Sequence, residues 1–535
     1  MADSPTVAEQ LRARADDDHP GLLFEDRSWT WHEVVATSAR YGRALAELLD
    51  PARPPHVGVL LDNVPEFLLA LGGAALSGQV LVGLNTTRSP VELAGDIARA
   101  DVQLVLTDAA HRHLLPDDVT TVDVDQAAWA DRLAAYAGDV PDHVAAPDDL
   151  LMLIFTSGTS GAPKAVRITH AKVAVPGVWL GQRFGLGAGD VAYLSMPLFH
   201  SNAIMAGWAP ALATGTTVAL ARRFSASGFL PDVRRFGATY ANYVGKPLSY
   251  VLATPERPDD ADNPLRIAFG NEANERDIAE FGRRFDCTVV DSYSSTENAV
   301  IVRREPGMPP GALGRPDAGV AVYDPETISE TPDAVFDADG RLLNGEEAIG
   351  EIVNTTGTGA FAGYYGDEGA EQERMRGGMY WSGDLAYRDA EGWLYFAGRT
   401  AEWLRVDGEN LTAAPIERVL LRNPAVAEAA VYAVPDPVTG DQVAAALTLR
   451  GDLSPDDLEA FLAAQPDLSA KAWPRHVRIL DTLPRTATNK VLKRTLAADG
   501  VTAGDGVTAG DGELWQREER GRAYRAVVSA ATPGA

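Results

Sequence analysis

A chain of 535 residues with 75 acidic against 47 basic side chains, a formal charge of −28, has the wrong sign for neutralising nucleic-acid phosphates or adsorbing to an anionic membrane. Its length exceeds what one hydrophobic core serves, so two or more domains are expected, and 46% hydrophobic with 23% charged residues is the balance of a soluble globular protein. A single cysteine, Cys287, excludes an intramolecular disulfide, and with Thr288-Val289-Val290 after it reads as a packed thiol entering a strand rather than a nucleophile.

The first residues carry early acids and no apolar run, so no secretion signal is expected and the location reads as cytoplasmic. A helical apolar period runs from Trp31 to Leu49, and Val57-Gly58-Val59-Leu60-Leu61 reads as a strand. Pro65 opens a helix, where its missing N–H is harmless. From Phe67 to Thr87 there is no charge, a stretch long enough to span a bilayer. Gly72, Gly73, Ser77, Gly78 and Gln79 interrupt it, which favours a buried helix followed by a buried strand at Val80–Leu84. A helix over Val91–Arg99 and a strand over Val102–Leu106 continue the alternation, which implies a mostly parallel, doubly wound sheet.

The most informative stretch comes next. Leu150–Phe155 is an uncharged strand, Ala165–His170 a second one, and between them lies Thr156-Ser157-Gly158-Thr159-Ser160-Gly161-Ala162-Pro163-Lys164. Glycines let backbone N–H groups approach an anion, hydroxyls add rotatable donors and a lysine adds mobile charge. That is the chemistry of a loop closing over phosphate oxygens. It is not a Walker A loop, because Gly-x-x-x-x-Gly-Lys-[Ser/Thr] is absent. A ligand-free Ser/Thr/Gly-rich turn is the alternative reading of this stretch alone.

Strands are then expected at Val191–Ser195, Thr216–Leu220, Thr239–Val244, Ile267–Glu272 and Thr288–Tyr293. Ligands of open α/β sheets bind at the carboxyl ends of the strands, so the polar residues after each should face one crevice. From Gly311 to Arg399 the texture changes to short strands with turn residues. Near Ala401 a smaller α+β unit begins: a helix over Pro415–Arg422, strands at Val426–Val434 and Gln442–Arg450, and a helix capped by Ser454-Pro455-Asp456-Asp457. A last strand at Val477–Leu480 and a helix over Asn489–Leu496 complete it. The expected domains are 1–400 and 401–535, with a flexible segment over 499–512 that contains the repeat Val501–Gly506 and Val507–Gly512. Trp515 and Tyr524 are candidates to anchor the terminus back on a domain.

Beyond the loop, the motifs run in order: Pro197-Leu198-Phe199-His200, Gly270-Asn271-Glu272, Tyr293-Ser294-Ser295-Thr296-Glu297, Trp381-Ser382-Gly383-Asp384, Gly398-Arg399, Gly408-Glu409-Asn410 and Pro484-Arg485-Thr486-Ala487-Thr488-Asn489-Lys490. Over nearly the whole chain this set resembles the AMP-forming, adenylate-forming ligase superfamily of acyl-CoA synthetases, luciferases and peptide-synthetase adenylation domains. Asn242–Tyr250 and Leu514–Arg525 are similar to its fatty-acid-transport-protein-like and actinobacterial long-chain branch. The resemblance implies a large N-terminal domain of doubly wound sheets with a distorted barrel-like subdomain, and a small mobile C-terminal lid. It implies ATP/AMP, Mg²⁺ and coenzyme A as cofactors, and a hydrophobic carboxylic acid or its acyl-adenylate as partner. A homodimer and a partner adenylating ligase complete the expected partners, with no nucleic acid and no integral membrane span.

Carried over residue by residue, the resemblance gives Thr156, Ser157, Gly158, Thr159, Ser160, Gly161 and Lys164 to the β- and γ-phosphates, with Thr156 and Glu297 on Mg²⁺. Thr296 falls on the α-phosphate, and Gly270, Asn271, Glu272, Asp291, Tyr293 and Ser294 surround the adenine end. Asp384 accepts from the ribose hydroxyls, and Arg399 reaches the ribose or phosphate. Lys490 serves adenylation, Gly408, Glu409 and Asn410 the pantetheine tunnel, and His200 gates the acyl site. Small residues near that gate, Ser201, Ala203, Ala206 and Gly207, would leave room for a bulky apolar acid. Four positions depart from the pattern: Ala165, Ser294, Asn489 and Ala401. They keep open an enzyme that only thioesterifies a preformed acyl-adenylate; a non-catalytic acyl-adenylate or nucleotide binder is the different-class alternative.

Overall fold

The computed structural model describes residues 4–156, 163–293, 295–305, 307–338, 342–399, 403–406, 409–436, 440–485, 491–499, 512–517 and 521–527. The chain divides into two compact units, Met1–Ala299 with Thr358–Arg374, and Val300–Gly357 with Met375–Ala535.

The first unit holds two largely parallel sheets. One orders the strands Thr288–Asp291, Ile267–Asn271, Tyr240–Val244, Val191–Leu194, Thr217–Leu220 and Pro20–Phe24, all parallel, with Arg27–Thr30 antiparallel at the edge. The other orders Thr121–Asp123, Leu104–Thr107, His56–Leu60, Val80–Gly83 and Leu150–Thr156 in parallel, then Lys164–Thr169 antiparallel. The doubly wound expectation is met, and each expected strand lies within a residue or two of its place. The hairpin Pro20–Phe24/Arg27–Thr30 has no counterpart among the expected elements, because its second strand is largely exposed and its turn at Glu25 and Asp26 is charged.

The charge-free stretch resolves as the helix Pro65–Ser77 and the strand Val80–Gly83. The helix lacks a polar face because Phe67–Leu76 is buried throughout. It packs against the helix Trp31–Ala46 at glycine contacts, where a Cβ on Gly73 would fall 2.7 Å from the backbone nitrogen of Gly42. Among the described residues no helix is long and apolar enough to cross a membrane. Cys287 precedes the strand Thr288–Asp291 and packs against a core built on Phe229, Phe281 and Phe285. Burial pushes its thiol up to about 12.

The antiparallel edge strand Lys164–Thr169 is covered by the segment 358–374, since Tyr365 donates its backbone N–H to Ala165 O at 2.8 Å and Arg167 to Gly363 O at 3.0 Å. An unpaired edge would be a template for another chain. Here it fixes Tyr364 beside the hairpin.

The second unit carries an eight-stranded antiparallel sheet whose centre pairs Gly350–Asn354, Met379–Arg388 and Leu394–Arg399. It also carries a seven-stranded sheet around Gly440–Leu449, which pairs Val426–Asp436 and His476–Leu480. Ser454 caps the helix Pro455–Ala463 with a reciprocal capping box, as its sequence predicts. The strand at His476–Leu480 is not the last: Gly512–Arg517 and Tyr524–Val527 add to its edge. Two apolar residues between Glu513 and Gln516, Leu514 and Trp515, are too short a run to announce a strand. Both anchor candidates are packed, Trp515 at 1% and Tyr524 at 3% exposure, with the Tyr524 hydroxyl donating to Pro474 O at 2.7 Å. Residues 500–511, the body of the segment expected to be flexible, lie outside the described residues.

Truncating Trp515 to Ala should lower the stability of the second unit by about 3–5 kcal/mol, read as a fall in the urea midpoint. Modification of the native protein at pH 8 by a chromogenic disulfide should be at least about ten-fold slower than after denaturation, because little of Cys287 is thiolate.

Candidate active site

Parallel pairing puts the carboxyl ends of Val191–Leu194, Tyr240–Val244, Ile267–Asn271 and Thr288–Asp291 on one side of their sheet. The segments leaving these strand ends are tied together there. Asn202 donates its amide N–H to Tyr243 O and to Asn271 Oδ1, both at 3.2 Å, and accepts from Asn242 Nδ2 at 2.7 Å. Asp291 is buried beneath the turn, accepting from the Tyr243 hydroxyl at 2.9 Å and the Ala273 N–H at 3.0 Å. Gly270 is required by that packing, since a Cβ would lie 2.2 Å from Tyr243 O. Glu272 comes two residues later in a left-handed conformation, φ 68°.

The π-helix Ala203–Trp208 sits behind His200. Ala203, Ala206 and Gly207 are buried, and a Cβ on Gly207 would meet Leu194 at 2.9 Å and Asn242 at 3.1 Å. Gly207 therefore serves close packing and opens no free space. Ser201 is partly exposed, and its hydroxyl bonds the Thr296 hydroxyl at 3.0 Å. The His200 ring tilts against Phe199, 4.5 Å between centroids.

Thr296 and Glu297 lie in a tight turn in which Asn298 donates to Ser295 O at 3.2 Å and itself takes φ 51°. The Tyr364 hydroxyl donates to Glu297 Oε1 at 3.0 Å, and burial together with that carboxylate raises the phenol above its ordinary value. The Tyr364 ring also faces the Lys164 ammonium, 5.2 Å from the centroid. Lys164 is 5% exposed and has a 3.5 Å ion pair with Glu373, whose side chain is 66% exposed. So long and wet a pair does little to compensate a buried ammonium. Lys172 donates to Glu297 O at 2.9 Å; burial lowers its pKa, against the nearby carboxylate, to about 8. Thr156 pairs with Lys164 across the hairpin.

In the first unit contacts link Thr156 and Lys164 through Tyr364 to Glu297, the Thr296 hydroxyl meets Ser201 beside His200, and Asn202 and Tyr243 tie in Asn271 and Asp291. Gly270, Glu272 and Tyr293 lie on the segments at those strand ends. Asp384 and Arg399 belong to the second unit, cross-strand partners with Arg399 Nε 3.4 Å from Asp384 Oδ1. Ser157, Gly158, Thr159, Ser160, Gly161, Ser294, Gly408 and Lys490 lie outside the described residues, as do Ala401 and Asn489. Glu409 and Asn410 open the strand Glu409–Thr412. Sequence reasoning missed Lys172, Tyr364 and Asn202, and it singled out Asn242 only as the start of a branch motif. Lys172 did leave a signal, a single charge followed by the apolar run Val173-Ala174-Val175. Tyr364 left none, since its role depends on the return of 358–374 to the sheet edge.

Among the described residues no three or more His, Cys, Asp or Glu side chains cluster as metal ligands. One carboxylate, Glu297, and a hydroxyl, Thr156, fit a hard cation that keeps nucleotide oxygens and water, not an all-protein cage.

The chain matches the model for the AMP-binding enzymes over residues 9–365, and that for the AMP-binding enzyme C-terminal domain over residues 415–490. It is 54% identical over 504 residues to a medium/long-chain-fatty-acid–CoA ligase of Mycobacterium marinum, covering 94% of this chain and 97% of that one. It is 48% identical over 502 residues to a steroid-22-oyl-CoA synthetase of Rhodococcus jostii, covering 92% and 90%. Among solved structures, it is similar to the o-succinylbenzoate coenzyme A synthetase of Bacillus subtilis in complex with ATP and magnesium ion. That similarity has a TM-score of 0.73 at 28% identity and covers 91% of this chain and 98% of that one.

Asn202→Ala should cost about 1–3 kcal/mol, because it leaves Asn242 and Asn271 without their shared partner. A thermal-unfolding midpoint equal to wild type would count against the asparagine ladder.

Proposed function

Because the chain belongs to the AMP-binding enzyme family, we propose that it runs both halves of an acid–thiol ligation on a large hydrophobic acid, joining it to coenzyme A. The chain is an acyl-CoA ligase: relatives at 54% and 48% identity over nine-tenths of its length are named for a fatty acid and for a steroid acid. The observation that carries the mechanism is the single carboxylate of Glu297, positioned near the buried Lys164 through the shared side chain of Tyr364.

In the first half-reaction a carboxylate oxygen of the acid attacks the α-phosphorus of ATP. The bond to pyrophosphate breaks and the acyl-adenylate remains. In the second, the coenzyme A sulfur attacks the acyl carbon, the bond to AMP oxygen breaks so that AMP leaves, and the thiol proton passes to solvent. Both partners of the first attack are anions, so the site must supply positive charge where it develops. Lys164, weakly paired within the protein, is available to the β- and γ-phosphates. Glu297 and Thr156 would hold Mg²⁺, which when bound neutralises phosphate charge and orients the leaving group. The Ser201–Thr296 hydroxyl pair offers donors for the α-phosphate. The assignment of Asp384 and Arg399, an ion pair at 3.4 Å, to the ribose end of the nucleotide rests on the sequence motif. The assignments of Lys490 to adenylation and of residues 408–410 to the pantetheine path rest on the sequence motif. A reaction that consumes ATP and coenzyme A fits a cytoplasmic location.

Isotope exchange between pyrophosphate and ATP, with mass spectrometry of the thioester, tests this on a panel of long-chain fatty acids and steroid side-chain acids. Exchange and acyl-CoA should appear together with at least one acid, and Glu297→Gln should lower exchange by about 10²-fold or more. Thioester formed from a synthetic acyl-adenylate without exchange would replace the proposal with thioesterification alone.

A further inference from the structure

Lys172 takes no part in the ligation mechanism, yet it is 5% exposed. It lies in the first turn of the helix His170–Phe184, its backbone N–H donating to the cap Thr169 at 3.3 Å. Lysines usually run their stems along apolar surface and leave the ammonium in water. Withdrawing that group costs several kcal/mol unless acceptors and charge replace its hydration. Here Ala171, Val173 and Ala174 beside it are buried, and Nζ reaches across to donate to the main-chain carbonyl of Glu297 at 2.9 Å.

The acceptor is part of the Ser295–Asn298 turn, which belongs to no helix or strand and closes through a left-handed Asn298. Side chains from three separate places grip this turn. Ser201 bonds the Thr296 hydroxyl, Tyr364 holds the Glu297 carboxylate, and Lys172 holds the Glu297 backbone. Groups that orient a metal-binding side chain matter nearly as much as the ligand, because they set where its oxygens point.

We propose that Lys172 is a positioning residue for the nucleotide-bound metal: its ammonium fixes the main chain from which Glu297 presents its carboxylate. The inference rests on the assignment of Glu297 to Mg²⁺ in the proposed function. An ammonium suits the task because its charge also offsets the carboxylate beside it, which a neutral donor does not.

The test uses the 535-residue chain as wild type, Lys172→Met, Lys172→Gln and Glu297→Gln. Binding of Mn²⁺ in the presence of α,β-methylene-ATP is followed by electron paramagnetic resonance. Thioester formation from a synthetic acyl-adenylate and coenzyme A, which needs no metal, is measured alongside. Lys172→Met should weaken Mn²⁺ binding about ten-fold while thioester formation stays within about two-fold of wild type. Lys172→Gln, which keeps a donor, should show the same selective loss at about three-fold, and it carries the comparison if the Met variant does not fold. Wild-type Mn²⁺ affinity in the Lys172 variants, with affinity lost in Glu297→Gln, would overturn the positioning role and leave the metal assignment standing. Equal losses of Mn²⁺ binding and thioester formation would also overturn it, in favour of a merely structural lysine. Unchanged Mn²⁺ binding in Glu297→Gln would remove the metal assignment and this inference with it.

Discussion

Two ammonium groups held out of water organise the first unit. In a chain of net charge −28, Lys164 and Lys172 are each 5% exposed, and neither has a close carboxylate partner that fully offsets its charge. Burial of a weakly compensated cation opposes folding, so such groups persist where another requirement holds them. The hairpin Leu150–Thr156/Lys164–Thr169 delivers the first lysine and the helix after it delivers the second. They converge on the turn of Glu297, with Tyr364 linking the carboxylate to Lys164. In the proposed function, incoming phosphate oxygens would complete this arrangement electrostatically, giving a strongly acidic protein one place for a polyanion.

The sheets make that convergence possible. Parallel pairing sends successive strand ends to one side, and the asparagine ladder through Asn242, Asn202 and Asn271 ties three of the segments there together. The segment 358–374 adds the remaining constraint. By pairing with the edge strand at Ala165 and Arg167 it protects that edge, and the same pairing sets Tyr364 against Glu297.

In the second unit the chain's own end closes a sheet. Gly512–Arg517 and Tyr524–Val527 place Trp515 and Tyr524 in the core shared with Val477 and Trp473. The aromatic pair signalled an anchor, and the backbone form of that anchor, two strands on the edge of His476–Leu480, needed its pairing partner to be seen.

Periodicity and turn chemistry in the sequence determined the alternating strands and helices, the buried helix and strand within Phe67–Thr87, the capped helix after Ser454 and the strand pair Leu150–Thr156/Lys164–Thr169. Those depend on neighbours a few residues apart, so local pattern records them. The ordered motifs also marked Glu297, Thr296, Lys164 and Asp384. Tertiary structure decided the rest: that Asp291 and Gly270 serve packing under the turn at Gly270–Glu272, that Gly207 is closed by Leu194 and Asn242, and that Tyr364 and Lys172 meet Glu297. These join residues from 13 to 125 positions apart. No local signal specifies such a meeting, because it is set by which strand lies beside which in the folded sheet.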